Sequence, residues 1–294
     1  MKIKTSKLLV TVLLLAAGCS SEAQQNANRE RQIQELLAAQ NPLEASDSVW
    51  IEELTYIEVR DRIADGNTTV IISTGGIEQN GPYLTTGKHN VILRSLCPAI
   101  ARDLGNTLCA PVVGFVPEGN LDPPSGSMRF PGSITVRDET YHALLSDIAE
   151  SMKVHGFRDI VLIGDSGGNQ RGMTAVAEEL NKRWAGTGVT AHDVIEFYTP
   201  GWEETEKYTE EVLGVAESKS DGHHDDIWVT AMMMVTDPSS VRYHERVEAD
   251  LASINGIDIA PMEDTIALGK KMVAFRAEYT ANAIRAAIAN KQEE

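Results

Sequence analysis

The sequence predicts an α/β protein, specifically a three-layer α/β/α sandwich around a mostly parallel central sheet. Short runs of β-branched and apolar residues alternate with longer segments whose apolar residues recur at helical spacing. The short runs lack the polar alternation of a half-exposed strand, so they indicate strands that are covered on both faces. The composition stays even from Trp50 to the end, which favours a single domain.

The first elements follow this alternation. Tyr56–Ala64 is predicted as a helix, and Thr69–Ser73 (TVIIS) as a buried strand, because β-branched residues favour strands. Asn90–Leu104 has helical spacing and is closed by Gly105, a residue type that commonly ends helices. Thr107–Val113 is the second predicted strand.

The second half of the domain repeats the pattern. Thr140–His155 carries apolar residues at helical spacing, and Asp159–Ile163 (DIVLI) is a third buried strand. Arg171–Trp184 is predicted as a helix and Thr190–Phe197 as a strand. Thr265–Asn290 is the long terminal helix. Because ligand sites in parallel sheets lie at the carboxyl ends of strands, we expect chemistry in the loops that follow the first three.

The N-terminal residues have the composition of an export signal. Lysines precede the apolar run Leu8–Leu15, and Ala16–Cys19 resembles the lipobox at which bacterial lipoproteins are acylated on the cysteine, here Cys19. The predicted organisation is a signal peptide at residues 1–18, a polar tether at 19–47 and the domain at 48–294. Ser20 favours the outer membrane, so we expect a lipid-anchored protein of the cell envelope that faces the periplasm. A plain secretory signal cut near Ala23 is the alternative.

Charge and cysteine content limit the partners. The formal net charge of −17 repels nucleic-acid phosphates, so nucleic-acid binding is not expected. The only membrane contact that we predict is the N-terminal lipid anchor. Cys97 and Cys109 would be free to form a disulfide in an oxidising compartment. Buried free thiols are an equal alternative, because the sequence does not place their Cβ atoms.

Polar side chains follow each of the first three predicted strands. Gly75–His89 is a long glycine-rich loop that contains a carboxylate, an amide and an imidazole. Glu118 follows the second strand, and Gly164–Asn169 (GDSGGN) follows the third. Further along, Asp221–Asp226 sets imidazoles among carboxylates. These residue types are suited to metal binding and to acid–base chemistry.

Together these segments resemble the creatininase family. The loop at 75–89 matches G-x-x-E-Q-H-G-P-H-L-P-x-G-T-D in length and at Glu78, Gln79, Gly81, Pro82, Leu84 and Gly87. Phe130–Ile134 matches F-P-G-T-x-S, Gly164–Asn169 matches N-G-H-G-G-N, and Asp221–Asp226 begins the H-A-G-E-x-E-T-S segment. The resemblance covers about residues 48–290. It implies a three-layer α/β/α domain, a homo-oligomer, and two divalent metals that activate a water for attack on a small amide.

Carried over position by position, the resemblance implies an altered metal site. Glu78 is retained at a ligand position, Asn80 replaces a ligand histidine and His89 replaces the bridging aspartate. Ser166 replaces a strand-end histidine, and Asp165 beside it replaces a glycine. The bridging carboxylate is therefore lost, while several of the replacements are themselves competent ligands.

The later segment aligns in two ways. His223 or His224 takes the ligand histidine, and neither Trp228 nor Val229 restores the second glutamate. We predict a rearranged site that holds one or two divalent ions, Zn²⁺, Mn²⁺ or Fe²⁺. Its predicted ligands are Glu78, His89, Asp165 and His224. The remaining predicted roles are proton donation by His223, metal ligation or histidine orientation by Asp226, and substrate binding by Asn80, Ser166, Trp228 and Glu118.

The predicted function is therefore metal-dependent hydrolysis of the C–N bond of a small, cyclic amide, in which the metal supplies hydroxide at neutral pH. Two other classes stay open. Gly164–Gly168 also fits the G-x-S-x-G nucleophile elbow of serine hydrolases, with Ser166 as the nucleophile. Its partners would be Asp193 or Asp221, and His224 or His244. The other class is a scaffold that has lost catalysis and binds a small ligand.

Overall fold

The structure is a computed structural model that describes residues 24–218 and 222–291. Residues 24–46, together with Tyr56–Glu58, pack as a small unit, and Asp47–Thr55 with the described residues from Val59 to Lys291 pack as a large one. Helix α1, at residues 24–37, lies in the small unit, so part of the predicted tether is helical. The predicted lipidation site, Cys19, lies outside the described residues. No helix in the described ranges is long and apolar enough to cross a membrane.

A four-stranded sheet forms the centre of the large unit, with strand order β2-β1-β3-β4. Its strands are β1 (Thr69–Thr74), β2 (Thr107–Cys109), β3 (Asp159–Gly164) and β4 (Thr190–Asp193). All three strand pairs are parallel, and every residue of β1 is buried. Burial on both faces is what the uninterrupted β-branched runs predict.

Helices cover both faces of this sheet. The helices that follow α1 in the described chain are α2 (Tyr56–Ala64), α3 (Lys88–Leu104), α4 (Asp138–His155), α5 (Gln170–Arg183), α6 (Gly201–Lys207), α7 (Ile227–Thr236), α8 (Tyr243–Glu248) and α9 (Met262–Lys291). The chain passes from β1 through α3 to β2, and in the opposite direction from β3 through α5 to β4. Right-handed crossovers in opposite directions put α3 and α5 on opposite faces. Helices α7 and α9 pack with α3, and α4 packs with α5, which confirms the predicted three-layer sandwich.

Two predicted strands are longer than the observed ones. The second was expected to reach Val113, but β2 ends at Cys109, two residues before Pro111, which has no N–H to donate to the ladder. Val113 still donates from its backbone N–H to the oxygen of Ser73 at 2.9 Å, so the chain stays beside β1. The fourth was expected to reach Phe197, but β4 ends at Asp193 and a 3₁₀ turn follows.

Helix α7 has no counterpart among the predicted elements. Its sequence, IWVTAMMMVT, is buried on almost every side, from Ile227 to Met234. A helix that is apolar all round shows no polar face, so its sequence carries no helical periodicity. Packing between α3 and α9 supplies the environment that such a helix needs.

The two cysteines of the domain form a disulfide. Cys97 on α3 is joined to Cys109 at the end of β2, with Cα atoms 6.3 Å apart. This separation lies within the normal range for a disulfide. The covalent link fixes the helix that begins at the candidate site to the edge strand of the sheet.

Candidate active site

The loops after β1, β2 and β3 line one cavity of about 1380 Å³. It opens at the carboxyl edge of the sheet, where the chain leaves β1 toward β2 and leaves β3 toward β4. Such switch points are the usual ligand sites of open parallel sheets. Most of the predicted site residues lie on its wall: Glu78, His89, Glu118, Asp165, Ser166, His224, Asp226 and Trp228. Asn80 and His223 are not on that wall.

The loop after β1 is held together by its own backbone and by Asn80. The Glu78 backbone N–H donates to the oxygen of Thr86 at 3.0 Å. Asn80 Nδ2 donates to the Glu78 oxygen at 2.9 Å and to the Thr85 oxygen at 3.3 Å. The Asn80 side chain therefore braces the loop from inside, and its predicted role in substrate binding stays a prediction.

Asn169 joins this loop to the end of β3. Its Nδ2 donates to the backbone oxygens of Thr74 and Gly75, each at 2.9 Å. The neighbouring Gly168 lies so close to the Pro117 oxygen that a Cβ at this position would overlap it. The GGN segment thus holds the three strand-end loops together, which is a structural reason for its glycine and amide.

His89 lies between two carboxylates on the floor of the cavity. It is the second residue of α3, and its Nε2 is 2.8 Å from Glu78 Oε1 while its Nδ1 is 2.8 Å from Asp165 Oδ2. Carboxylates only accept hydrogen bonds, so His89 donates from both ring nitrogens. Ser127 completes the partners of Glu78 by donating from Oγ to Oε2 at 2.7 Å.

Two buried cations flank this chain. Lys88 is 1% exposed, and its Nζ lies 3.6 Å from Glu78 Oε1. Arg276, from the middle of α9, is fully buried and donates from Nη2 to Asp165 Oδ1 at 2.9 Å. The floor of the cavity is therefore a continuous row of paired charges that runs from Lys88 through Glu78, His89 and Asp165 to Arg276.

The pairing sets the protonation of the two carboxylates. Burial alone would raise the pKa of Glu78, but the imidazoles of His224 and His89 and the charge of Lys88 outweigh it and hold that pKa far below its usual range. Burial acts in the same way on Asp165, where the Arg276 charge and His89 lower the pKa instead. Both groups are charged at neutral pH.

Glu118 stands in the opposite state. Burial raises its pKa to about 8, and the negative charge of Glu78 adds to the effect. Its Oε1 is buried against Gly76, where a Cβ would overlap it, and has no hydrogen-bond partner among the described residues. Glu118 is therefore a protonated acid at pH 7 on the wall of the same cavity as the charged Glu78.

The segment after residue 221 contributes one imidazole to the site. His224 is largely exposed and places Nδ1 3.7 Å from Glu78 Oε1. His223 packs against Gly81 instead, away from the cavity wall. Asp226 lies on the wall, and its Oδ1 accepts from Asn255 Nδ2 at 3.4 Å. The predicted role of His223 as the proton donor stays a prediction.

Two of the partners predicted for a nucleophilic Ser166, Asp193 and His244, are not on the cavity wall, whereas His224 is. Asp193 accepts a hydrogen bond from Thr174, and His244 contacts the ring of Tyr243; neither lies on the cavity wall. Asp221, the other candidate, is outside the described residues. Among the residues that are described, no hydrogen bond joins Ser166 to a histidine.

Neither cation is among the residues predicted for the site from the sequence. Arg276 was the more detectable of the two, since it shares a helix face with the buried Met272, Val273 and Thr280. A charged residue on an apolar helix face indicates a buried partner. Lys88 carries no comparable signal, because lysines in loops are usually exposed.

The donors as arranged do not fit a divalent metal. Neither nitrogen of His89 offers a lone pair, because both donate to carboxylates. Each carboxylate also has a side-chain cation beside it. In the part of the chain that the structure describes, no three His, Cys, Asp or Glu side chains are grouped so as to hold a metal ion. The predicted ligand set of Glu78, His89, Asp165 and His224 stays a prediction of the sequence.

Comparison with known proteins assigns the chain to a family. A family model described as creatinine amidohydrolase matches residues 52–283. The chain belongs to the creatininase family. Creatinine amidohydrolase of Pseudomonas putida is 24% identical to it over 225 residues, which cover 74% of this chain and 83% of that protein. The creatininase family acts on amide C–N bonds as hydrolases, and membership supports function at that level.

Solved creatininases share the fold. A mutant creatininase of Zn–Zn type has a TM-score of 0.55 at 21% identity, and covers 84% of this chain and 99% of its own. A second structure, creatininase Mn, has a TM-score of 0.58 at 19% identity, with 83% and 99% covered. At this identity the likeness supports the three-layer fold alone.

Proposed function

We propose that the cavity hydrolyses the C–N bond of a small amide and that Glu118 is the proton donor to the leaving nitrogen. One observation carries the proposal: Glu118 and Glu78 line one cavity, and Glu78 contacts His89 and Lys88 while Glu118 Oε1 has no partner among the described residues. Burial therefore raises the pKa of Glu118 to about 8, while the partners of Glu78 lower the pKa of that carboxyl. Pairs of titratable groups whose environments drive their pKa values apart are typical of acid–base sites. Membership of the creatininase family supplies the bond type.

The residues on the wall provide each proton transfer that amide hydrolysis needs. His224 turns Nδ1 toward Glu78, so its Nε2 can accept a proton from a water molecule. The water oxygen adds to the carbonyl carbon, and the C–N bond breaks as the Glu118 O–H protonates the nitrogen. The proton on His224 then returns through solvent to Glu118, which restores both groups.

The metal-dependent form of this activity is the one that the sequence predicts. The zinc and manganese forms of solved creatininases support a divalent cation in the family generally. Bound by Glu78, His89, Asp165 and His224, such an ion would supply hydroxide at neutral pH. Because His89 and its two carboxylates already satisfy one another in this chain, we propose catalysis by the residues themselves.

A panel of small substrates tests the proposal. Creatinine, other small lactams and formamides are incubated with the purified chain, and new amine or carboxylate products are measured by NMR. We expect turnover of at least one compound and a fall of roughly 10²–10³-fold in kcat for Glu118→Gln. Glu178→Gln, which changes an exposed carboxylate on α5 away from the cavity wall, should keep wild-type turnover.

Two results would contradict the proposal. If Glu118→Gln turns over as fast as wild type, Glu118 is not the acid. If compounds of the panel bind without being cleaved, the ligand-binding scaffold replaces the enzyme as the better account.

A further inference from the structure

Every carboxylate on the cavity floor has a buried side-chain cation of its own. Lys88 Nζ lies 3.6 Å from Glu78 Oε1, and Arg276 Nη2 lies 2.9 Å from Asp165 Oδ1. These two cations are 1% and 0% exposed, respectively. Charged residues are almost never buried this completely unless they are paired, so the ion pair with its carboxylate explains why each cation can be buried.

Both cations are also fixed in place by other contacts. Lys88 Nζ donates to the His224 backbone oxygen at 3.4 Å and lies 5.6 Å from the centroid of the Trp202 ring. Arg276 donates from Nη2 to the Phe197 oxygen at 3.1 Å, and its guanidinium carbon lies 4.3 Å from the centroid of the Phe197 ring. Carbonyl oxygens and aromatic faces stabilise positive charge, so neither side chain depends on its carboxylate alone.

We propose that Lys88 and Arg276 are built-in counter-ions for Glu78 and Asp165, so that this creatininase-family site is charge-balanced without a divalent metal. Each of the two carboxylates on the floor has its own basic side chain within ion-pair distance, at 3.6 Å for Glu78 and Lys88 and at 2.9 Å for Asp165 and Arg276. A divalent cation placed beside Glu78 would meet the Lys88 ammonium at close range, and like charges in a buried site repel strongly.

The inference does not depend on the proposed activity, because it is tested without substrate. The purified full chain is incubated with excess Zn²⁺ or Mn²⁺ and passed through gel filtration, and metal content is then measured by mass spectrometry. Thermal unfolding is followed before and after chelation. We expect metal far below one ion per chain and the same melting temperature with and without chelator.

Charge-removing variants test the counter-ion role itself. Lys88→Met removes the buried lysine beside Glu78 and leaves that carboxylate only its contacts with His89, His224 and Ser127, so we expect the melting temperature of the variant to fall by roughly 5 °C or more. Lys271→Met, which changes an exposed lysine on α9, should melt like wild type. In the double variant Glu78→Gln with Lys88→Met, removal of both charges should recover part of the loss.

Two outcomes would overturn the inference. One is wild-type chain that retains a stoichiometric divalent ion and melts at a lower temperature once the ion is chelated. The other is strict additivity of the Glu78→Gln and Lys88→Met effects, since paired charges must couple. If Lys88→Met does not fold, the wild-type metal content still decides.

Discussion

Glu118 and Glu78 illustrate how burial and neighbours give one residue type two roles. Both lie on the cavity wall, yet Glu78 is surrounded by His89, His224 and Lys88 while Glu118 Oε1 has no described partner. A carboxylate with cationic partners keeps its charge, and one without them keeps its proton. The difference arises from the contacts of each side chain and not from its depth, since both are 7% exposed.

The raised pKa of Glu118 predicts how activity depends on pH. With a pKa of about 8, Glu118 holds its proton at pH 7 and loses it as the pH rises through that value. An acid that must be protonated supports turnover below its pKa and fails above it. We therefore expect kcat/KM to fall by about tenfold per pH unit above about pH 8. A profile from about pH 6 to about pH 10 that shows no such fall would remove Glu118 from the mechanism.

At the scale of elements, the sequence predicts best where a segment has a periodicity. Helix α2 has the predicted bounds, and α3, α4 and α5 begin within about two residues of theirs. Helix α7 was not predicted, because it is apolar on all sides and its sequence therefore has no helical periodicity. The loops at 75–89 and 164–169 were correctly located because strand order fixes where strand ends meet.

The contacts of the site were harder to predict than its location. Arg276 and Asp165 are 111 residues apart in the chain, and no local sequence pattern indicates that they are in contact. The same difficulty applies to His89, because its sequence neighbours do not indicate that each ring nitrogen contacts a carboxylate. Pairings of this kind are decided by tertiary packing, which the sequence of one chain does not display.

The link between α3 and β2 gives a prediction at this scale. Cys97 and Cys109 close a loop with a sequence separation of 12, and such a loop restricts the unfolded chain. Replacing both cysteines with alanine should lower the free energy of unfolding by about 3 kcal/mol. Urea denaturation measures this free energy. Dithiothreitol should lower the urea midpoint of the wild type but not that of the variant. Free-thiol titration that finds both cysteines reduced in the oxidised protein would contradict the link.

At the scale of the whole molecule, acidic residues surround the mouth of the cavity. Away from the floor, the cavity lining has more acidic side chains (Asp122, Asp138, Glu139, Glu203, Glu206 and Asp226) than basic ones (Arg137 and Arg171), and the formal net charge of the chain is −17. A field of one sign concentrates ligands of the opposite sign and repels those of the same sign. Neutral and cationic amides therefore suit this cavity better than carboxylated ones.

The anchoring of the molecule is a separate proposal, since Cys19 lies outside the described residues. The Ala-Ala-Gly-Cys sequence supports acylation of Cys19, and the predicted outer-membrane location follows from it. Cys19→Ser should release the protein from membranes or block its processing. Unchanged membrane fractionation, together with normal processing, would contradict the lipoprotein assignment. The predicted homo-oligomer stays a prediction.

The central claim is that this member of the creatininase family cleaves amides with its own side chains. The most direct test is the turnover of a cleaved amide by wild-type chain after exhaustive chelation, beside Glu118→Gln under the same conditions. We predict that chelated wild type retains its kcat, while Glu118→Gln loses roughly 10²–10³-fold. Loss of turnover on chelation, with recovery on addition of Zn²⁺ or Mn²⁺, would contradict the claim and return the mechanism to a metal.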